Sequence, residues 1–245
     1  LPQAFIPVPH FEQSNRIFEE EMTISINTIF SEKYTIYYTV DGSDPSASQT
    51  AIKYRSPFTI DTTTNISAYA VNQYGRSSTI SNQFILKNEN ISIDLKSNYD
   101  NQYTASGDFT LIDGIRGGNE FRTGDWQGYW AQDVVAEINF DNAISISEIG
   151  IGCLSDMKSW IFFPSEVEIE ISYDGLSFES IGTVELEGIT SKNMSPNHRD
   201  FTLNTNTSKT IKKIRVTAKN FGTCPEWHLG NGNDTWLFVD EIFFK

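Results

Sequence analysis

The sequence predicts an all-β chain built as two successive β-sandwiches, a small one followed by a larger one. Three observations predict it. Apolar residues recur with period two almost everywhere, the mark of half-buried strands, and no stretch shows a convincing helical period. Asn, Ser, Thr, Gly and aromatic residues are plentiful while Lys and Arg are few, a mixture that suits extracellular β-sandwiches better than helical enzymes. The polar run Lys87-Asn88-Glu89-Asn90 interrupts the apolar pattern. It places a boundary between residues 1–88 and residues 89–245, and its shortness implies modules set close together.

The first segment offers strands over Met22–Ile26, Tyr34–Val40, Ile66–Val71 and Ile80–Leu86. The cluster Asp41-Gly42-Ser43-Asp44-Pro45 turns the chain after the second, and Tyr74-Gly75-Arg76-Ser77 turns it before the last. Short strands at turn-punctuated spacing point to an Ig-like or fibronectin-like sandwich. In the second segment the clearest strand is Glu166–Tyr173. Val167, Ile169, Ile171 and Tyr173 face inward, while Glu166, Glu168, Glu170 and Ser172 face water. It ends at Asp174-Gly175, a strong hairpin signal, and Phe178 and Ile181 open the return strand.

Among 245 residues there are 18 basic and 32 acidic side chains, a net charge of −14. Such a chain is repelled by phosphate backbones, so nucleic acid is excluded as a partner. Anionic lipid surfaces repel it too, which disfavours lipid adhesion. It holds no apolar run long enough for membrane insertion, and no leader pattern opens it. Leu1-Pro2-Gln3 reads as an internal cut. Cys153 lies in an apolar strand pattern and Cys224 in a Pro-containing loop; two unpaired thiols are favoured over one disulfide. Three His and two Cys are scattered without ligand spacing, which argues against zinc. His10 and His198 read as ordinary surface residues.

Tyr37-Tyr38-Thr39-Val40-Asp41-Gly42-Ser43-Asp44-Pro45 is followed by Tyr54-Arg55-Ser56-Pro57-Phe58 and by Ile66-Ser67-Ala68-Tyr69-Ala70. This ordered set resembles the small Ig-like domain near the C-terminus of chitobiases and other β-hexosaminidases. It covers about the first 88 residues.

The remainder resembles the discoidin, or coagulation factor 5/8 type C, family, which includes the family 32 carbohydrate-binding modules. Six stretches carry the likeness in order. They are Leu111-Ile112-Asp113-Gly114, Phe121–Gly128, Val135–Phe140, Ser172–Phe178, Ile214-Arg215-Val216 and Asp240-Glu241-Ile242. The resemblance implies a galactose-binding-like jelly roll. Together the two likenesses imply a non-catalytic accessory region of a β-N-acetylhexosaminidase-type glycoside hydrolase. Such a region is bacterial and secreted, periplasmic or cell-surface. Its partners are a glycan ending in galactose or N-acetylhexosamine, and the parent enzyme's catalytic domain. The alternative is that both sandwiches only pack on the catalytic barrel and stabilise it.

Asp240-Glu241 is the one adjacent Asp-Glu pair in the chain. The parent family hydrolyses with such a pair, but on a barrel of about 250 residues with alternating strands and helices. This chain has no helices to alternate, so the pair is read as structural. In discoidin relatives, a carboxylate from the early Asp-Gly turn and another near the last strand hold calcium. The resemblance carries this to Asp113 and Glu241, with the Asp240 carbonyl as a further ligand. Calcium, which takes six to eight oxygens, suits such a set. The sequence departs from the family at Arg116-Gly117-Gly118, which brings a positive charge close by. Asp113 fits equally as a plain turn residue capping its own backbone.

Sugar binding needs flat apolar faces for pyranose CH groups and planar donors and acceptors for hydroxyls. Three turn-rich, aromatic loops offer both: Phe121–Trp130, Met157–Phe163 and Cys224–Asn231. The candidate sugar-binding residues are Trp160, Phe162, Trp227, His228, Arg122 and Asn231. Trp227-His228 stands first, because its Gly/Asn/Pro loop reads as exposed. Trp126 and Trp236 abut strands and read as plugs of the sandwich.

Overall fold

In the computed structural model, residues 6–13, 15–190 and 194–245 are described, and Leu1-Pro2-Gln3, read above as an internal cut, lies outside them. Two compact units emerge, Leu1–Asn88 and Glu89–Lys245. Both are all-β, as the period-two pattern predicts.

In the first unit, β1 (Thr35–Thr39), β2 (Thr64–Asn72) and β3 (Ile80–Leu86) form an antiparallel sheet with β2 at its centre. The predicted strand Met22–Ile26 is divided. Met22–Ile24 pairs with Phe58–Ile60, and Ile26–Asn27 pairs with His10–Phe11. One extended run thus serves two ribbons, a split that local periodicity does not reveal. Ile24, Ile36, Ile66, Ala68, Ala70 and Phe84 fill the core between these layers.

The second unit is a sandwich of two antiparallel sheets. The five-stranded sheet runs in the order β4 (Ile91–Leu95), β6 (Val134–Ile144), β11 (Ile211–Lys219), β8 (Glu166–Ser172), β9 (Glu179–Glu185). The four-stranded sheet runs β5 (Gln127–Trp130), β12 (Trp236–Phe244), β7 (Glu148–Ser155), β10 (Asn197–Asn204). Alternation sends Ala136, Ile138, Val167, Ile169, Ile171, Ile214 and Val216 inward from the first sheet. Tyr129, Ile149, Ile151, Phe201, Leu237 and Val239 meet them from the second. Cys153 belongs to the same core, and both cysteines are free and buried.

The hairpin at Asp174-Gly175 forms, with a longer loop than a two-residue turn. Gly175 takes a φ of 79°, and Asp174 Oδ1 accepts from the Leu176 and Ser177 N–H groups, both at 2.8 Å. Those hydrogen bonds pull its carboxyl down to about 2.

Inward alternation has a measurable consequence. Ile169→Ala removes a fully buried side chain and should cost roughly 2–5 kcal/mol in chemical denaturation. Leu229→Ala, at a fully exposed loop position, should stay within about 0.5 kcal/mol of the parent. Equal costs at both positions would contradict the packing described.

Candidate functional site

The four-stranded sheet carries aromatic side chains on its outer face as well. Tyr129, Leu237 and Val239 point into the sandwich, so Trp130, Trp236 and Phe238 point out. Trp130 and Trp236 are cross-strand partners, with ring centroids 4.9 Å apart. Trp160 joins them from the loop after β7. Its backbone sits at φ 64°, an uncommon conformation for a bulky residue. Three hydrogen bonds hold the backbone there. Trp160 N–H donates to Met157 O (3.0 Å), Trp236 N–H to Trp160 O (2.9 Å) and Phe162 N–H to Trp236 O (3.0 Å). The Trp160 ring then stacks on Trp130 at 6.3 Å and 24°. Trp130 is 36% exposed.

A second loop, Cys224–Asn233, closes on the far edge of Trp160. Gly230 makes that approach possible, since a Cβ there would lie 2.9 Å from Trp160 Cε2. His228 ties the two loops together. Its Nδ1 accepts from Gly230 N–H (3.0 Å), so its Nε2 carries the proton and donates to Met157 O (2.7 Å). Trp227, 39% exposed, stands edge-on to His228 at 6.0 Å, and exposed Asn231 donates its backbone N–H to His228 O.

The candidates therefore separate. Trp160, Trp227 and Asn231 gather at one end of the sandwich around the His228 strut. His228 itself is only 6% exposed, against the exposed position read from its Gly/Asn/Pro loop. Its ring nitrogens are both taken by backbone groups, one two residues on in its own loop and one 71 positions away. Phe162 is fully buried, stacked on Phe221 at 4.9 Å, so it supports the loop and meets no ligand. Ile161 and Phe162 enter two different apolar clusters on opposite sides of the chain, which removes both from the surface.

Arg122 stands apart from this group. It lies exposed over the Phe121 ring at 4.0 Å, beside a cleft of about 420 Å³ lined by Gln102, Tyr103, Thr104 and Trp126. Trp126 is sealed, as expected, and donates to Gly118 O (3.2 Å). Trp236 does more than plug the sandwich, since it backs the exposed Trp130. Trp130 closes the aromatic loop Phe121–Trp130 but is not among the candidate sugar-binding residues. The available signal was alternation at the end of a strand, with Tyr129 in and Trp130 out.

The regular pairing of the last strand is broken by a bulge. The β7–β12 register shifts between Ile151↔Ile242 and Cys153↔Val239, so Gly152 faces both Asp240 and Glu241. A Cβ on Gly152 would come within 2.1 Å of Asp240 Oδ1. Asp240 Oδ2 accepts from Arg116 Nε (3.0 Å) and from Gly117 N–H (2.8 Å). Arg116 also pairs with Asp200 and lies 2.9 Å from His198 Nε2, which approaches Asp240 Oδ2 at 3.3 Å as well. His198 is thus half-buried within an ionic cluster and is no ordinary surface residue. Burial pushes the Asp240 carboxyl up, against the pull of Arg116. Because this pair is buried, Asp240-Glu241 offers no surface to a substrate.

Glu241 turns toward the early Asp-Gly turn. Its Oε2 accepts from Gly114 N–H (3.0 Å), and Asp113 Oδ1 accepts from Ile115 N–H (2.7 Å). Asp113 therefore does cap its own backbone. Burial first, and the Asp113 charge second, push Glu241 up to about 9. In donor chemistry, two adjacent buried carboxylates fit a hard divalent cation. Asp240 spends its Oδ2 on Arg116 and Gly117, which draws the Arg116 charge to Asp240. Among the described residues no group of three or more His, Cys, Asp or Glu side chains is placed to hold a metal.

Residues 14–82 match the family model of the chitobiase/beta-hexosaminidase C-terminal domain. They fall within the first unit. No curated protein matches the chain. Among solved structures the chain is similar to the family 32 carbohydrate-binding module of Clostridium perfringens NanJ in complex with galactose. Identity is 17%, the match covers 63% of this chain and 93% of that one, and the TM-score is 0.39. It is similar to the C-terminal domain of a chitobiase from Bacteroides fragilis at 16% identity, covering 64% and 93%, with a TM-score of 0.38. It is also similar to an F5/8 type C domain from Bacteroides fragilis at 12% identity, covering 63% and 89%, with a TM-score of 0.37.

The Glu241 environment sets a pH dependence. Its folded value lies above the ordinary 4.5, so folding takes up a proton. Stability is then fully present below about 4.5 and is lost as pH rises toward about 9. In EDTA, Tm should fall by several degrees across that window, and Glu241→Gln should flatten the slope. A pH-independent Tm in the parent protein would contradict the burial of Glu241 beside Asp113.

Proposed function

We propose that the second unit is a non-catalytic carbohydrate-binding module of the discoidin type. The whole chain would then be the accessory region of a secreted, periplasmic or cell-surface glycoside hydrolase of the β-N-acetylhexosaminidase type. The observation that carries this reading is the stack of exposed Trp130 on half-buried Trp160, with exposed Trp227 on the neighbouring loop. Indole faces receive pyranose CH groups, and Asn231 adds a planar donor and acceptor beside them. The match of residues 14–82 supports the accessory role. The ligand is a terminal galactose or N-acetylhexosamine of a glycan. A single shallow site buries little surface, so affinity is weak, roughly millimolar to high micromolar.

Calcium is proposed as a structural ion only. Asp113 and Glu241 would hold it with backbone carbonyls, the Asp240 carbonyl among them. It would supply charge neutralisation that replaces the proton on Glu241. For the first unit we propose a packing role on the catalytic domain, without a sugar site.

Isothermal titration of the whole chain with galactose, N-acetylgalactosamine and N-acetylglucosamine tests the reading, with and without calcium. One of these should bind saturably. Trp160→Ala and Trp130→Ala should each weaken it by roughly tenfold, about 1.4 kcal/mol. A folded sample that binds none of the three would favour purely structural sandwiches.

A further inference from the structure

The exposed stack does not stop at Trp130. On the outer face of the four-stranded sheet, ring centroids follow one another from Trp160 to Trp130 (6.3 Å), Trp236 (4.9 Å), Tyr103 (5.3 Å) and Phe121 (5.8 Å). Trp160, Trp236 and Tyr103 are half-buried, while Phe121 is buried in the apolar cluster on which Trp236 and Tyr103 pack. The row ends at the cleft beside Arg122, which Gln102 and Thr104 also line.

Arg122 is held ready there. Its guanidinium rests on Phe121 at 4.0 Å, and its backbone N–H donates to Glu120 Oε1 at 3.2 Å. Its ion pair with Glu120, at 3.3 Å, joins two exposed side chains and is weak for that reason. A guanidinium has five donors, and one exposed carboxylate contact leaves most of them for ligand hydroxyls and carbonyls.

We infer that the binding surface takes a neutral oligosaccharide of three or more residues, with one sugar on the Trp130–Trp160 stack and another in the Arg122 cleft. This rests on the carbohydrate-binding reading above and extends it from a terminal sugar to a chain. The two subsites are joined through Trp236 and Tyr103. In this arrangement a monosaccharide on the stack fills one subsite, whereas a trisaccharide engages both.

The test is calorimetric titration of the whole chain with β-linked N-acetylglucosamine and galactose oligomers of increasing length, from the monosaccharide upward. Affinity should rise by roughly tenfold or more between monomer and trimer, since the second contact is intramolecular. Arg122→Ala, at an exposed position that spares the fold, should return the trimer to monomer affinity and leave the monomer unchanged. Trp160→Ala should weaken both. Equal affinity for monomer and trimer would overturn the extended site while leaving the single-sugar module standing. So would an Arg122→Ala loss that is the same for both, because Arg122 would then belong to one compact site. No binding at any length would remove both readings together.

Discussion

Strand β12 cannot keep its register past Gly152. Leu237 and Val239 fill the core, yet the next inward residue is Ile242, because Asp240 and Glu241 together occupy one step of the ladder. That bulge places two carboxylates side by side at the sheet, and each takes hold of the segment that follows the early Asp-Gly turn. Glu241 holds Gly114 through its N–H group, and Asp240 holds Arg116 and Gly117. The strap so fixed carries Gly118, whose carbonyl accepts from Trp126, and leads directly to Phe121 and Arg122. The same strand begins with Trp236, which backs Trp130 and hydrogen-bonds both flanks of the Trp160 loop. Both ends of the proposed binding surface therefore hang on β12.

The arrangement trades stability for placement. A buried carboxylate is costly unless it is paired and hydrogen-bonded. Asp240 is paired on one oxygen, while its Oδ1 finds no hydrogen-bond partner among the described residues. Buried ion pairs are weak evidence of net stabilisation, and breaking one by removing a single partner is strongly destabilising. The role best supported here is geometric. The cluster Arg116, His198, Asp200 and Asp240 pins an otherwise irregular strap against the outer face of a sheet.

Much of this could be read before any coordinates. Alternation located the long strands because a two-residue period is a local property, and β8 and its hairpin emerge as expected. Asp113 and Glu241, 128 positions apart, do meet. They could be paired only through a family likeness, since nothing local links an early turn to the final strand. Trp160 and Trp227 were chosen for residue type and loop composition, and both come to one end of the sandwich. The readings that failed concern burial within loops. His228 and Phe162 have the composition of exposed residues, but their surroundings come from Met157, Gly230 and Phe221.

The sequence by itself determined the all-β class, the period that separates inward from outward side chains, and the residue types from which a sugar site is made. Those follow from propensity and alternation, which act over a few residues. Only the tertiary structure decided that Trp130 and Trp160 stack and that His228 is a strut. It also decided that Asp240 belongs to Arg116 and that an aromatic row runs on to Arg122. Each depends on contacts between segments tens of residues apart, and on a one-residue bulge whose effect appears only when β12 is laid against β7.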